Sequence, residues 1–335
     1  MPTTAAEISD LRVRVRALPR DLRLETAQLD LRPFRKEDAA IVAPLAGDWE
    51  VARWTANIPH PYDAGMAAAW IAENRADCEN GEAVVFAIER RADRQLVGAI
   101  GLMCDPENNE AEVGYWIGRP YWGSGYATEA LRGVLRLAFN RLEVGRVTAA
   151  AMAGNGASMR VQEKAGLTYA GEELIDAPAR GGKFPGQRRA ITREAFVAME
   201  AAPVPLVLVV AVALVDADGR VLLARRPAGK PMAGLWEFPG GKVHDRESPE
   251  SALVRELREE LGVDTAASCL APLTFASHRY DHFHLLMPLY VCRVWHGRPT
   301  PHEGQELAWV RPARLGDYPM PLADKPLVPV LRDLL

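Results

Sequence analysis

Glu256, Glu259 and Glu260 lie at spacings of three and four in the segment Arg255-Glu256-Leu257-Arg258-Glu259-Glu260-Leu261. At about 100° per residue, an α-helix puts all three carboxylates on one face, and like charges on one face need a cation. Carboxylate oxygens are the donors preferred by Mg²⁺ and Mn²⁺, ions that keep several waters and grip substrate phosphates. The chemistry this permits is hydrolysis of a phosphoanhydride, with phosphate charge neutralised and the attacking water made more acidic.

The helix is legible in its flanks. Ser248 suits the N-cap, Pro249 the first helical position, Glu250 the positive end of the dipole, and Gly262 the left-handed position beyond the C-terminus. Leu253, Leu257 and Leu261 form an apolar stripe beside the acidic face and are expected to pack it onto a sheet. A solvated acidic face explains the charge but leaves the glycine turns at both ends unexplained. From Gly241 the pattern reads Gly, five residues, Glu247, seven residues, Arg-Glu-Leu, one residue, Glu-Glu, one residue, Gly-Val.

This stretch resembles the Nudix box. Together with Arg225 to Pro239, Glu303-Gly304-Gln305, Trp309 and Pro319 to Pro326, it resembles the MutT-like branch of that family. The resemblance implies a Nudix α/β/α sandwich over 206–335. It also implies hydrolysis of (deoxy)nucleoside triphosphates, notably oxidised guanine nucleotides such as 8-oxo-dGTP, to the monophosphate and pyrophosphate by attack at the β-phosphorus. Position by position, it implies the Gly240 carbonyl, Glu256, Glu259 and Glu260 as ligands of Mg²⁺ or Mn²⁺, with Glu256 and Glu259 catalytic. It makes Glu303 a further ligand or the base that deprotonates water. Arg255 and Glu247 orient the metal-binding loop, Lys242 meets a phosphate, Arg226 joins the nucleotide-binding residues, and Phe238 and Asp324 line the base pocket.

Asp324 stands where an Asn is familiar in this branch. An ionised Asp only accepts hydrogen bonds, whereas Asn also donates, so the preferred base stays open. His278, His282 and His284 cluster near Asp281, and alternation along a strand would put all three on one face. A pocket wall or solvated face explains them better than a metal site, and His278 and His284 are expected to contribute to nucleotide binding. His278 also occupies the place of the proline that marks many ADP-ribose hydrolases. Tyr280 sits where dinucleoside polyphosphate hydrolases often have a tyrosine, although core packing is the stronger explanation for an aromatic on a strand. Gly181-Gly182-Lys183-Phe184-Pro185-Gly186 repeats the letters of the box's loop, but no acidic helix follows it.

A second constellation precedes this one. Glu112 to Ile117 has strand character, followed by Arg119-Pro120-Tyr121-Trp122-Gly123-Ser124-Gly125-Tyr126-Ala127 and a helix through about Leu142. A strand, a glycine turn and a helix N-terminus make an anion cradle, because free N–H groups and the dipole point at one spot. With Asn155, Ser158, Val161, Lys164, Ala165 and Gly166, the segment resembles the GNAT acetyltransferase superfamily, in particular its RimJ/RimL-like branch. That implies a mixed, mostly antiparallel sheet flanked by helices. It also implies acetyl-CoA as co-substrate, its pyrophosphate held by Trp122, Gly123, Ser124, Gly125, Tyr126 and Ala127, with Asn155 also binding the cofactor. Pro120 departs from the superfamily's pattern and removes one N–H donor from the cradle.

Acetyl transfer to an amine needs a deprotonated nucleophile, a polarised carbonyl and a protonated leaving thiolate. Glu112 is the candidate base, although a polar residue on a half-buried strand explains it as well. Asn155 and Ser158 are candidates for cofactor binding or thiolate protonation, and N-capping explains their types equally. The acceptor amine, a protein N-terminus or a small molecule, is left open.

The elements around these constellations set the organisation. A chain of 335 residues suits two domains. The expected division is a flexible tail at 1–25, a GNAT domain at 26–198, a linker at 199–205 and the Nudix domain at 206–335, giving α/β and α+β architecture. Asp218-Gly219 between the strand-like Leu206–Val215 and Val221–Ala224 signals a hairpin. A net charge of −4 with both signs interspersed gives no stripe to track a nucleic-acid polymer. Cys78, Cys104, Cys269 and Cys292 are widely spaced and suit reduced core residues in a cytoplasmic protein. No apolar run has the length of a membrane span. The expectation is a bifunctional enzyme. Its rivals are an acetyltransferase with a nucleotide-sensing Nudix domain, or a Nudix hydrolase of another nucleoside diphosphate derivative carrying a non-catalytic GNAT binding module.

Overall fold

Apolar alternation and glycine punctuation resolve, in a computed structural model describing residues 5–335, into two units. One holds residues up to Arg90 and Arg94–Ala202; the other holds Arg91–Asp93 and Pro203–Leu335. In the first, α1 (Ala5–Arg16) is followed by β1 (Leu24–Glu25), β2 (Leu29–Arg32), α2 (Ala39–Ala46), α3 (Trp49–Ala52) and α4 (Ala64–Asn80). Next come β3 (Ala83–Arg90), β4 (Leu96–Asp105), β5 (Glu110–Ile117), α5 (Tyr126–Asn140), β6 (Arg146–Met152), α6 (Gly156–Lys164), β7 (Thr168–Ala177), β8 (Gly182–Thr192) and α7 (Arg193–Ala201). The strands form one sheet in the order β1-β2-β3-β4-β5-β6-β8-β7, antiparallel except where β5 meets β6.

That exception positions the site. β5 and β6 pair only through Glu110–Arg146, Ala111–Val147 and Glu112–Thr148, then part, so the second half of β5 has no strand on that side. Val113, Tyr115 and Ile117 turn to the core under α5, whereas Trp116 turns to the layer of α2 and α4.

The expected tail is different in the structure. Much of it is α1, and Leu11 and Val15 are wholly buried in the first unit's core, with Leu18 almost so. Arg12 and Arg16 lie on the outer side of this helix, where Val13 is also 53% exposed. Residues 1–4 lie outside the described residues. α7 also runs to Ala201, into the expected linker, capped by the Thr192 side chain, which accepts from the Ala195 N–H at 3.3 Å.

The second unit holds β9 (Leu206–Leu214), β10 (Val221–Arg225), β11 (Trp236–Glu237), β12 (Gly240–Lys242) and α8 (Pro249–Leu261). These are followed by β13 (Leu270–Arg279), β14 (His284–Cys292), β15 (Glu306–Val310) and α9 (Leu327–Leu334). Two sheets form, β12-β9-β14-β13 and β11-β10-β15. The hairpin expected between β9 and β10 is therefore not a paired hairpin. The turn is present, with Asp216 Oδ1 accepting from the N–H groups of Asp218 and Arg220 at 3.0 and 2.8 Å and Gly219 at a φ of 72°. Only the bridge Val215–Val221 joins the strands before they enter different sheets. The apolar run of β9, buried from Val210 onward, lets it sit centrally between β12 and β14 instead of pairing locally.

Helix α8 has the boundaries its flanks predict. Ser248 Oγ accepts from the Ser251 N–H at 3.2 Å, Pro249 is the first residue, and Gly262 closes the end at a φ of 62°. Leu253, Leu257 and Leu261 are buried with Val210, Val212 and Leu214 of β9. Among the described residues, no helix is long and apolar enough to cross a membrane.

Candidate functional site

In the second unit the glycine turn and α8 are fitted to each other. Gly240 has a φ of 154°, and a Cβ there would lie 2.0 Å from the Val210 carbonyl oxygen and 2.8 Å from Ala211 Cα. A Cβ on Gly241 would lie 2.1 Å from Glu256 Oε1. The loop thus presses its backbone against a carboxylate of α8, which only glycine permits. Gly240→Ala is expected to destabilise this unit by about 2–4 kcal/mol, because the clash is with backbone and not with a movable side chain. Urea denaturation checks this.

Arg255 organises the acidic face. Its guanidinium donates to Glu247 Oε1 at 2.9 Å, Glu256 Oε1 at 2.8 Å, Glu259 Oε2 at 3.2 Å and the Lys242 carbonyl at 3.1 Å. Those hydrogen bonds hold Glu247 down at about 2. Glu260 behaves oppositely: burial, then the neighbouring charges of Glu256, Glu237 and Glu303, push it up to about 7. Glu303 pairs with Lys230. Its loop is tied to the end of α8 by the His302 N–H and Gln305 Nε2, which donate to the Glu260 carbonyl at 2.9 and 3.3 Å. Glu256, Glu259, Glu260 and Glu303 are thereby gathered at one end of the unit, with Gly240 on the adjoining turn.

The donor set fits a hard divalent cation, since it is all oxygen and the charges of Glu256, Glu237 and Glu303 around Glu260 outweigh that of Lys230. Among the described residues, no three acidic, histidine or cysteine side chains already converge to hold an ion. Arg255 and Lys230 hold part of that set instead.

The base-pocket candidates meet on the other side of β11. Asp324 is buried, and its Oδ1 accepts from the Phe238 N–H at 3.5 Å. Burial, reinforced by the nearby Glu237 charge, pushes Asp324 up to about 8, so it holds its proton at neutrality. Arg226 pairs with Glu237 and donates from Nε to the Pro231 carbonyl at 2.8 Å. Lys242 is exposed at the end of β12. Sequence reasoning passed over Glu237, although it sits between Trp236 and Phe238 in a segment it did single out. Its charge acts on both Glu260 and Asp324.

The three histidines do not share a face. His278 is opposite Leu285 and Arg279 opposite His284, so His278 and His284 point to opposite sides of the β13–β14 pair, and His282 lies in the turn between them. His278 packs edge-on to Tyr280, with ring centroids 4.5 Å apart, on the side of Phe238 and Asp324. His284 Nε2 lies 2.8 Å from Ser277 Oγ on the side of α8. The single strand assumed from alternation is in fact a turn between two strands, which removes His284 from the base pocket.

In the first unit, Gly123 and Gly125 have φ values of 78° and 80°, and a Cβ on either would meet nothing within 4 Å. Among the described residues, no side chain caps α5. Its acidic residue Glu129 is turned away, accepting from Thr26 Oγ1 and the Gln28 N–H at 2.5 and 2.6 Å, which fastens α5 to the β1–β2 turn. The cradle of Ser124 to Ala127 is therefore open at its N–H end. Trp122 Nε1 donates to the Ile117 carbonyl at 2.7 Å and fixes the approach, while Tyr126 is buried.

Asn155 is the N-cap of α6, its Oδ1 accepting from the Ser158 N–H at 3.1 Å. Ser158 Oγ lies 2.9 Å from the Tyr115 hydroxyl, which burial pushes up to about 12. Tyr115 was not singled out from the sequence, but its place on β5, three residues after Glu112, carried the signal. Glu112 lies on the opposite face of β5 and shares Arg188 with Glu173, at 3.3 and 2.6 Å.

A glycine cradle beside a parted pair of strands, and an acidic helix locked to a glycine turn, define a chain with a group-transfer unit and a phosphoanhydride-hydrolysing unit. Residues 28–168 match the family described as Acetyltransferase (GNAT) domain, and residues 210–329 match the NUDIX domain family. The CTP pyrophosphohydrolase of Escherichia coli (strain K12) is 43% identical over 121 residues, covering 36% of this chain and 87% of that protein. The 8-oxo-dGTP diphosphatase of the same organism is 32% identical over 117 residues, covering 35% of this chain and 89% of that protein. The uncharacterized N-acetyltransferase p20 of Bacillus licheniformis is 32% identical over 153 residues, covering 45% of this chain and 84% of that protein. The chain belongs to both families, joining a GNAT acyltransferase domain to a NUDIX hydrolase domain.

Proposed function

We propose that the second unit hydrolyses (deoxy)nucleoside triphosphates to monophosphate and pyrophosphate, with 8-oxo-dGTP as substrate and nucleotide-pool sanitation in the cytoplasm as the role. The observation that carries this reading is the Gly240–Gly241 turn closed onto Glu256, with Glu259, Glu260 and Glu303 around it. Water oxygen bonds to the β-phosphorus, the bond from that phosphorus to the α–β bridging oxygen breaks, and the water proton passes to a carboxylate, in this proposal Glu303. Mg²⁺ or Mn²⁺, held by the Gly240 carbonyl, Glu256, Glu259, Glu260 and Glu303, would neutralise phosphate charge and acidify the water. Arg255 orients the carboxylates, Lys242 meets phosphate, and Arg226, Phe238, His278 and Asp324 face the nucleoside.

A cytidine triphosphate is the second reading, favoured by the 43% identity to the CTP pyrophosphohydrolase. A protonated Asp324 offers one donor and one acceptor, which pair with either guanine or cytosine. Pyrophosphate release from a panel of canonical and oxidised triphosphates with Mg²⁺ separates the two. Preference for 8-oxo-dGTP supports the first reading, preference for CTP or a modified dCTP moves the substrate, and no hydrolysis of any member ends both.

For the first unit, the proposed activity is acetyl transfer from acetyl-CoA to an amine. The amine nitrogen bonds to the thioester carbonyl carbon and loses a proton towards Glu112. The C–S bond breaks, and the thiolate leaves with its electron pair and takes a proton from Ser158, which is hydrogen-bonded to Tyr115. Thiol release from acetyl-CoA with an amine panel tests this reading.

A further inference from the structure

The face of the sheet that carries Glu112 holds a second, unassigned cluster. Glu112 and Thr148 are register partners, so Thr148, Ala150 and Met152 of β6 point to the side of Glu112. That row leads to Met152, around which Trp54, Phe184 and Ile175 pack. Arg180, in the turn between β7 and β8, lies over this group. Its Cζ is 3.5 Å from the Phe184 ring centroid and 5.9 Å from that of Trp54, and Nη1 points at Met152 Sδ at 3.9 Å.

Arg180 differs from the other cations on this face. Arg188 is shared by Glu112 and Glu173, Lys183 pairs with Asp176 at 3.6 Å, and Arg53, 4.8 Å from the Trp54 ring centroid, pairs with Glu50 at 3.2 Å. Among the described residues, Arg180 has no carboxylate partner. A guanidinium over an aromatic ring keeps its charge, and Arg180, itself exposed, stays accessible to a carboxylate or phosphate. Four residues of strand separate Thr148 from Met152, about 13 Å at 3.3 Å per residue. Glu112 thus lies beside one end of the row and Arg180, a cation with no carboxylate partner among the described residues, over the other.

We propose that the Trp54–Arg180–Phe184 cluster is the acceptor subsite of the acetyl-transfer unit and selects a small amine that carries a carboxylate or phosphate. The anion lies against Arg180 and the apolar part against Trp54, which leaves the amine directed towards Glu112 where β5 and β6 part. This inference rests on the acetyl-transfer reading for its chemistry but not for its binding, and the two are tested separately.

The test uses the full-length protein with coenzyme A present and measures binding by calorimetry. Phenylalanine serves as the carboxylate probe, O-phosphoethanolamine as the phosphate probe, phenylalaninamide as the uncharged control and spermidine as the cationic one. Phenylalanine or O-phosphoethanolamine is expected to bind at least about tenfold more tightly than phenylalaninamide or spermidine, and which of the two binds identifies the anion. Arg180→Gln should weaken that binding by about tenfold or more, the usual scale for a hydrogen bond to a charged group, while Arg180→Lys restores part of it and coenzyme A affinity stays constant. In turnover with acetyl-CoA, the same variant should raise KM for the anionic amine with little change in kcat. Equal binding of phenylalanine and phenylalaninamide, tighter binding of spermidine, no binding of either anionic probe, or no effect of Arg180→Gln overturns the proposal. Arg180-dependent binding of an anionic probe without acetylation of any amine retains the subsite and removes the acetyl-transfer reading.

Discussion

Glu256→Gln is expected to slow pyrophosphate release by about three orders of magnitude, the equivalent of several kcal/mol of lost charge stabilisation in the transition state. Its carboxylate is only 14% exposed, lies under Gly241 and is fixed by Arg255 at 2.8 Å, so the variant removes a charge that nothing else can replace at that spot. Glu259 is 59% exposed and, among the described residues, held by Arg255 alone, and its glutamine variant should lose less, about ten- to a hundredfold. The amide is isosteric, so the thermal transition should move little, and coenzyme A binding should be untouched. Wild-type rates in Glu256→Gln would remove the hydrolase mechanism proposed for this unit.

The second large effect is on stability. Asp324 ionises at about 8 when folded, against an ordinary value of 3.8, because burial and Glu237 disfavour its charge. A raised folded value means that the native state keeps a proton the unfolded chain gives up. The Asp324 contribution is therefore intact below pH 3.8, is lost progressively as pH rises towards 8, and is flat above. Asp324→Asn has no proton to lose. Its stability relative to wild type should rise by about 3 kcal/mol between pH 5 and pH 8, at 1.36 kcal/mol per pH unit across most of that window. Denaturant titrations of the two proteins at pH 5 and pH 8 measure this directly. A constant difference would mean that Asp324 is already charged at pH 5 and that its pocket presents only acceptors.

Local chemistry was legible in the sequence wherever one short segment carried it. The cap at Ser248, the αL closure at Gly262 and the acidic face of α8 all depend on neighbours within a few residues, and so does the open cradle at Gly123 and Gly125. What the residues alone did not reveal depends on distant partners. The Asp218-Gly219 turn was visible, but the separation of β9 and β10 into two sheets is decided by β14 and β15. The histidine alternation failed because a turn at residues 280–283 reverses which face follows which. The N-terminal helix was hidden by its sparse apolar residues, whose burial is set by the core they reach. Arg188, which reaches both Glu112 and Glu173 from β8, could not be connected to either by spacing.

The parting of β9 from β10 bears on how the NUDIX unit is made. β9 takes β14 as its parallel neighbour, and β10 takes β15, so each early strand waits for a partner synthesised some seventy to ninety residues later. Neither sheet can close from local contacts, and the loop entropy of both must be overcome together. On the ribosome, the acetyltransferase unit can complete its sheet while β9 and β10, joined only to the nearby β12 and β11, still lack β14 and β15. The hydrolase should then form late and in one cooperative step, with the apolar edge of β9 exposed until β14 arrives.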